Sequence, residues 1–457
     1  MKNNLLSDPS PYLQQHKDNP VNWQRWDKSV LDIARNEKKP ILLSVGYASC
    51  HWCHVMAHES FEDNETAKIM NENFINIKVD REERPDIDFV FQSSFQLFNQ
   101  TNGGWPLTMF LDENAVPFTG GTFFPKDDKH GLPSFKKVLL SVSEAYKNQR
   151  KKIIAQANLI KQSLLLRKNP VINQDLEPFL EKILNNLDDV KGGFKGSPKF
   201  PNFVVFDTLI HFYKKTKKKV YLKHTKKLIK NLCSGGIYDH VEGGISRYTV
   251  DENWIIPHFE KMLYDNAQFI SLLSNFCLEE RDDYFLKKIE HTISFINKNF
   301  INKENNLLGS AMDADSEGEE GKYYVFNYNE IKKIKDISKY FDINPEGNWE
   351  GKIILKELSK PTNEVINQLK EIRIKRKKPF FDKKVQTDLN ALWIKALIDA
   401  NKVLPENQYL SLAENFSNSI EAKIENNCVY HSYSKKIVFI EDYAFLINAL
   451  LDLYEST

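Results

Sequence analysis

Cysteine is scarce in this chain: five residues in 457, an odd and sparse set that excludes a disulfide framework and suits a reducing compartment. Charge of one sign is lacking too. The 63 Lys and Arg face 62 Asp and Glu, a formal net charge of +1, so no net field favours nucleic acid or an anionic membrane. No apolar run approaches the roughly 18 residues a membrane helix needs. The opening stretch from Met1 to Pro9 lacks the apolar core of a secretory signal. These absences lead us to expect a cytoplasmic protein with no nucleic-acid or membrane partner. What is present is a globular composition, 41% hydrophobic and 27% charged. A single hydrophobic core stops growing at about 250–300 residues, so 457 residues predict at least two domains.

The first 150 residues alternate between helical and strand patterns. Trp26, Val30, Ile33 and Ala34 have helical spacing, and Pro40 ends that helix. Ile41 to Val45 is an apolar run fit for a buried strand. A helix follows from Cys50 to Asn73, with a break near Asp63, and Phe74 to Val79 alternates as a strand. Ile87 to Phe98 repeats at three and four until Gly103 and Gly104 break it. Leu107–Leu111 and Val116–Thr119 flank a turn, and Pro133 opens a helical stretch to about Leu166. Parallel strands joined by crossover helices, then a hairpin and a helix, is the thioredoxin arrangement. Lys168, Asn169 and Pro170 mark a linker. Beyond it, long helical patterns alternate with Gly-containing turns, which predicts an α-hairpin array or toroid. Lys322 to Phe326 is a candidate strand there. The expected division is 1–167 as the thioredoxin-like domain, 168–175 as the linker and 176–457 as the helical domain.

The sharpest motif is Cys50, His51, Trp52, Cys53, after an apolar strand and at the start of a helix. A helix N-terminus offers unpaired N–H groups and a positive dipole end, both of which favour a thiolate. Cys50 is expected to be the exposed nucleophile and Cys53, one turn on, the resolving thiol. Pro106 precedes the strand Leu107–Leu111 and is expected to be cis, holding the backbone open for an extended partner chain. His51, Trp52 and Trp105 are the expected partner contacts. Three alternatives stand beside redox chemistry. With His54, the pair matches a c-type haem attachment pattern, which belongs on exported proteins. Zinc could use Cys50, Cys53 and His54 or His58, but a structural zinc wants four ligands. A thioredoxin-shaped scaffold with inert thiols is the third. No cofactor or metal is expected.

In the second half, carboxylates, His and aromatics concentrate around Asp239, His258, Glu260, Asp265, Asp313 and Asp315. Such groups could carry acid/base work on a sugar, which needs two carboxyls across the substrate and rings to stack it. His258 and Glu260, two apart, do not share a helix face. Asp239 and Asp265 could equally be turn or helix caps. Asp313 to Gly318 imitates the start of a calcium loop, but Tyr324 stands at the twelfth position where Glu is needed. The basic runs at 214–219 and 375–378 have no interleaved aromatics and read as solvated faces. Cys233, Cys277 and Cys428 are scattered and are given no role.

Longer motifs then align with a known family. Asn4 to Leu6, Ser10 to His16, Asn19 to Trp23, Cys50 to Met56, Val79 to Asp86 and Gly103 to Leu107 occur together. Ser197 to Pro201, His258 to Asn266, Asp313 to Gly318 and Glu441 to Ala444 extend the likeness over nearly the whole chain. It resembles the spermatogenesis-associated protein 20 family, the YyaL type of thioredoxin-domain protein. The resemblance implies a thioredoxin-like domain fused to an all-α (α/α)6 toroid similar to six-hairpin glycosidases and sugar epimerases. It implies Cys50 and Cys53 as the thiol pair, Pro106 as their partner, and His258, Glu260, Asp265, Asp313 and Asp315 as pocket residues. Two departures are expected to matter: the chain stops at Thr457, which reads as a C-terminally shortened toroid, and Leu389 stands where relatives carry Trp. The expected function is thiol–disulfide exchange with a thiol-containing protein or small thiol. A carbohydrate-active toroid that takes a saccharide is the alternative, and a non-enzymatic scaffold the third.

Overall fold

A computed structural model of the chain describes residues 1–129, 131–165, 176–432 and 434–457. The chain divides into two compact units, Met1–Asn173 and Gln174–Thr457. The linker expected at 168–175 lies outside the described residues. Among the described residues, no helix is long and apolar enough to cross a membrane.

In the first unit, α1 (Lys28–Glu37) begins where the Asp27 carboxylate accepts from Val30 N at 3.1 Å. It ends at Lys38, which has a φ of 51°, and β1 (Ile41–Gly46) follows Pro40. α2 (His51–Met56) widens into a single π turn over Ala57–Phe61. Asp63 then caps α3 (Asn64–Asn73) by accepting from Thr66 N at 2.9 Å, which is the break the sequence signals. β2 (Ile75–Asp80), α4 (Pro85–Asn99), β3 (Leu107–Leu111) and β4 (Pro117–Gly121) complete the sheet and its crossover. The helical stretch expected from Pro133 to Leu166 is two helices, α5 (Phe135–Asn148) and α6 (Arg150–Leu165), parted at Gln149 where the backbone leaves helical geometry.

The sheet order is β2-β1-β3-β4, with β1 parallel to β2 and both later pairs antiparallel. One face is apolar: Ile41, Leu43, Val45, Ile75, Ile77, Val79, Leu107, Met109 and Leu111 pack with Val30, Ala34, Ile87, Phe91 and Phe95. The other face carries Ser44, Asn76, Lys78 and Thr108, and it is buried as well. Alternation along Ile75–Asp80 suggests a solvated face, yet all six residues are buried. Residues Tyr12 and Trp23 of the N-terminal segment, with Phe61, surround Lys78 on that side.

The second unit is built from α7 (Phe203–Thr216), α8 (Lys219–Ser234), α9 (Leu263–Glu279), α10 (Asp283–Asn299), α11 (Thr387–Val403), α12 (Tyr409–Glu421) and α13 (Ile440–Ser456). α9 packs on α7, α10 and α11, and α11 packs on α12 and α13. α9 and α11 are buried around most of their circumference, whereas α8 and α10 bury one stripe. Inner helices α7, α9, α11 and α13 with outer helices α8, α10 and α12 make the α/α-toroid type of layer expected from the sequence.

The stretch between α10 and α11 departs from that pattern. Its short strands Ala311–Met312 and Phe381–Asp382, with Lys261–Met262 from just before α9, form one ladder in the order Phe381, Ala311, Lys261. The strand expected at Lys322–Phe326 is instead a turn, entered through Gly321 at φ 70° and closed by a bridge from Phe326 to Ile353. Its aromatic run reflects burial: Tyr324 stacks on Phe259 with ring centroids 5.6 Å apart.

Candidate functional site

β1 delivers its last residue, Gly46, directly under the thiol motif. The loop Tyr47–Ser49 then leads to Cys50, the N-cap of α2, whose sulfur accepts from Cys53 N at 3.2 Å. Cys50 and Cys53 are joined as a disulfide with Cα atoms 5.2 Å apart, inside the range a disulfide requires. Here one expectation is corrected: Cys50 is 3% exposed and Cys53 1%, so neither sulfur stands out to solvent in this bonded form. The exposed member of the motif is Trp52, at 46%, with its ring edge-on to Phe123 at 5.1 Å and to His51 at 5.7 Å.

The Trp105–Pro106 peptide is cis, as its place before β3 leads one to expect. The β1–β3 register pairs Val45 with Leu107, so Pro106 follows on beside Gly46 and the start of the thiol loop. Trp105 is half-buried: its indole N–H donates to Asp88 Oδ1 at 2.9 Å, and the Arg81 guanidinium lies 4.2 Å from its ring centroid. Burial raises the Asp88 carboxyl despite the Arg81 charge and the Trp105 hydrogen bond.

The polar face of the sheet lies beneath this site. Lys78 is fully buried, its Nζ donating to Ser44 Oγ at 3.0 Å and resting 4.3 Å from the Phe61 centroid, 5.0 Å from Trp23 and 5.1 Å from Tyr12. Burial alone drives its ammonium well below the usual lysine range. His16, also buried, contacts Asn19 Oδ1 at 3.0 Å, and burial followed by the Lys78 charge lowers it well below an ordinary imidazole. Sequence reasoning missed Tyr12, Ser44 and Lys78. Alternation along the strand made Lys78 read as solvent-facing, so no local signal pointed to them.

In the helical unit the predicted residues fall into two groups. Asp239 belongs to a closed ion cluster: its carboxylate accepts from Lys261 Nζ at 2.8 Å and from Arg373 Nη1 at 2.7 and 2.8 Å. It also caps a turn by accepting from Val241 N at 3.0 Å. Burial opposes the charge, but Arg373 and Lys261 overcome it and hold this carboxyl far below the usual range. The cavity beside it is about 30 Å³, room for one water and no sugar.

The second group gathers around His258. Residues 257–258 and 261–262 are short strands and 259–260 lie between them outside any helix, so the helix-face argument does not apply, and the Glu260 charge acts on His258. His258 Nδ1 lies 2.6 Å from Glu320 Oε1. Burial disfavours the charged ring, but the Glu320 hydrogen bond and the Glu260 charge outweigh it and raise the imidazole. Glu260 is fully buried and accepts from Arg247 Nη1 at 3.1 Å. Glu320 pairs in register with Asp315 across a two-residue hairpin, whose centre, Glu317 at φ 55° and Gly318 at φ 77°, is the conformation a tight hairpin turn demands. The calcium-loop lookalike is therefore a β-turn. The ladder pair Lys261 with Met312 brings Glu260 and Asp313 to one end of the sheet. Asp265 lies in the first turn of α9, buried.

Asp388, His431 and Asp442 form a further cluster, with ligand atoms within 4.8 Å of one another, that could hold a metal ion. His431 Nδ1 is 2.9 Å from Asp442 Oδ1, and its Nε2 is 3.2 Å from the Gln386 amide. His431 carries no local motif that would have singled it out.

Comparison with known proteins places these motifs. The Thioredox_DsbH family model, described as a protein of unknown function (DUF255), matches residues 2–165. A Caenorhabditis elegans protein, B0495.5, is 34% identical across all of this chain and 72% of its own length. Human spermatogenesis-associated protein 20 is 30% identical, again across all of this chain and 67% of its own length. The chain belongs to the spermatogenesis-associated protein 20 family. Among solved structures, a cellobiose 2-epimerase from Bacillus thermoamylovorans is similar at a TM-score of 0.40 and 14% identity, over 62% of this chain and 64% of that one. A family 105 glycoside hydrolase from C. acetobutylicum is similar at 0.38 and 15%, over 61% and 65%. Likeness at that level carries no argument about activity. Both halves of the family pattern map to the centres described: Ser10–His16 packs under the thiol site, and His258–Asn266 supplies the helical unit's buried charges.

Proposed function

We propose that the protein is a thiol–disulfide oxidoreductase of a reducing cytoplasm, with Cys50 and Cys53 as the exchanging pair and a thiol-containing protein or small thiol as partner. The observation that carries this reading is the constellation itself: a Cys pair capping a helix at the end of β1, with cis-Pro106 opening the neighbouring strand. Exchange needs an incoming thiolate to reach Cys50, and Trp52 offers an exposed apolar surface where a partner chain could lie. The helical unit would serve recognition. Equilibration in glutathione buffers, read by thiol labelling, tests this: a reversible two-electron couple is expected, and its loss in Cys50→Ser.

A second reading has its own observation. A raised His258 beside Glu320 and Glu260, with Asp313 and Asp315 nearby, has the groups for acid/base work on a saccharide. A sugar that raises the melting temperature, with the effect lost in Glu260→Gln or Asp313→Asn, would support it. No shift across a broad panel would remove it.

A further inference from the structure

The N-terminal segment brings one uncommitted donor to the disulfide. Tyr12 lies on the short helix Pro11–Gln15, fixed by Ser10, which accepts from Leu13 N at 3.3 Å and donates to Asp80 Oδ2 at 2.6 Å. The Tyr12 side chain is 0% exposed, and its hydroxyl has no hydrogen-bond partner among the described residues. Such a group is costly to bury, and buried hydroxyls are normally satisfied.

Gly46 shows where this hydroxyl points. A Cβ placed on Gly46 would stand 2.3 Å from Tyr12 Oη and 2.7 Å from Cys53 Sγ. Oxygen and sulfur converge on one spot, and only glycine at the end of β1 leaves room for them. Cys50 Sγ already has a donor, the Cys53 backbone N–H. The phenol makes no hydrogen bond to Cys53 Sγ in the disulfide form, so its donor is still available to the other sulfur when the bond opens. Burial, reinforced by the Asp80 charge, raises the phenol well above its ordinary range, so it remains an O–H donor. The charged or titratable groups facing it are Lys78 and Asp80 from β2 and His16 just past the end of its own helix, the imidazole edge-on at 5.1 Å.

We propose that Tyr12 is the hydrogen-bond donor to the Cys53 thiolate released when the disulfide opens. The inference rests on the exchange reading above. In that step an incoming thiolate RS⁻ attacks Cys50 Sγ. The new RS–S bond to Cys50 forms as the Cys50–Cys53 bond breaks, and the electron pair departs on Cys53 Sγ. Charge balances at minus one throughout, and no proton must move. A disulfide sulfur is a weak acceptor and a thiolate a strong one, so the Tyr12 hydroxyl favours the leaving group only once the bond is broken.

The test uses the full chain. In Cys50→Ser, the rate of Cys53 alkylation against pH reports its thiolate. Adding Tyr12→Phe should raise the Cys53 pKa by about one unit, roughly a tenfold loss of thiolate at a given lower pH. In Cys53→Ser the same change should leave Cys50 unmoved. With both cysteines present, and at a pH above the Cys53 value of both proteins, Tyr12→Phe should shift the glutathione equilibrium about tenfold toward the disulfide. Its disulfide form should melt no lower than the parent's, because a partnerless hydroxyl has been removed. A Cys53 titration insensitive to Tyr12→Phe in a protein that still equilibrates with glutathione would overturn this inference and leave the exchange reading standing. No equilibrium with glutathione at all would overturn both.

Discussion

Lys78 and Lys261 are both fully buried lysines lying over aromatic rings, one in each unit, and their partners differ. Lys261 rests 4.1 Å from the Phe295 centroid and pairs with Asp239 at 2.8 Å, which in turn holds Arg373. Lys78 rests 4.3 Å from the Phe61 centroid and, among the described residues, its one hydrogen-bond partner is the Ser44 hydroxyl at 3.0 Å. Burial lowers both ammonium groups, but at Lys261 the Asp239 charge offsets part of the loss, and at Lys78 no charge among the described residues does. A closed ion cluster fixes a fold and leaves little for chemistry. An amine with no counter-charge among the described residues, beside a phenol with no partner among them and a disulfide, is an arrangement with interactions still to be made. The same contrast divides the cysteines: burial pushes the Cys277 thiol up to about 11 and Cys233 further, whereas the Cys50–Cys53 pair is already oxidised.

The contrast can be broken by substitution. The largest effect is expected at Asp239. Asp239→Asn leaves Lys261 and Arg373 buried with too little negative charge, and chemical denaturation should show a loss of about 3–5 kcal/mol. Lys78→Met should act with the opposite sign. It replaces a poorly solvated amine by an apolar chain among Tyr12, Trp23 and Phe61, and a gain of about 1–3 kcal/mol near neutral pH is expected in the same experiment. Because the folded Lys78 value is depressed, the unfolded chain binds more protons, so the parent's stability should rise with pH toward the unfolded lysine value and the variant should lose that slope. A loss of stability in Lys78→Met would show that its charge is matched after all.

The smallest effect concerns His258. Its folded pKa is raised above the unfolded value of 6.5, so its stabilisation is fully present below that value and is lost as pH rises through the folded one. Glu320→Gln should flatten this part of a melting-temperature profile. An unchanged profile would mean that Glu320 does not hold the imidazolium.

Much of the fold was legible because local and tertiary signals agree. Asp63 caps a helix where the break was expected, and Ile41 to Val45 is buried because both of its faces are covered. The thiol motif and Pro106 were legible for the same reason: each sits at an element boundary that pattern reading can find. The polar floor of the site was not. Along Ile75–Asp80, Asn76 and Lys78 read as a solvent face, and only tertiary packing of Tyr12, Trp23 and Phe61 closes it. In the helical unit, strands of two residues have no period to detect. His258 and Glu260 were therefore assigned helical geometry that the segment does not have. The pairing of Asp239 with Arg373 spans a sequence separation that no motif encodes.

The central claim is that Cys50 and Cys53 form a working couple. Its most direct test is to equilibrate the full chain across graded ratios of reduced and oxidised glutathione, trap with an alkylating reagent, and read both cysteines by mass. The account predicts a single two-electron transition within roughly −120 to −270 mV, abolished in Cys50→Ser. Thiols that never interconvert across that range would contradict it and make the thioredoxin-like unit a scaffold.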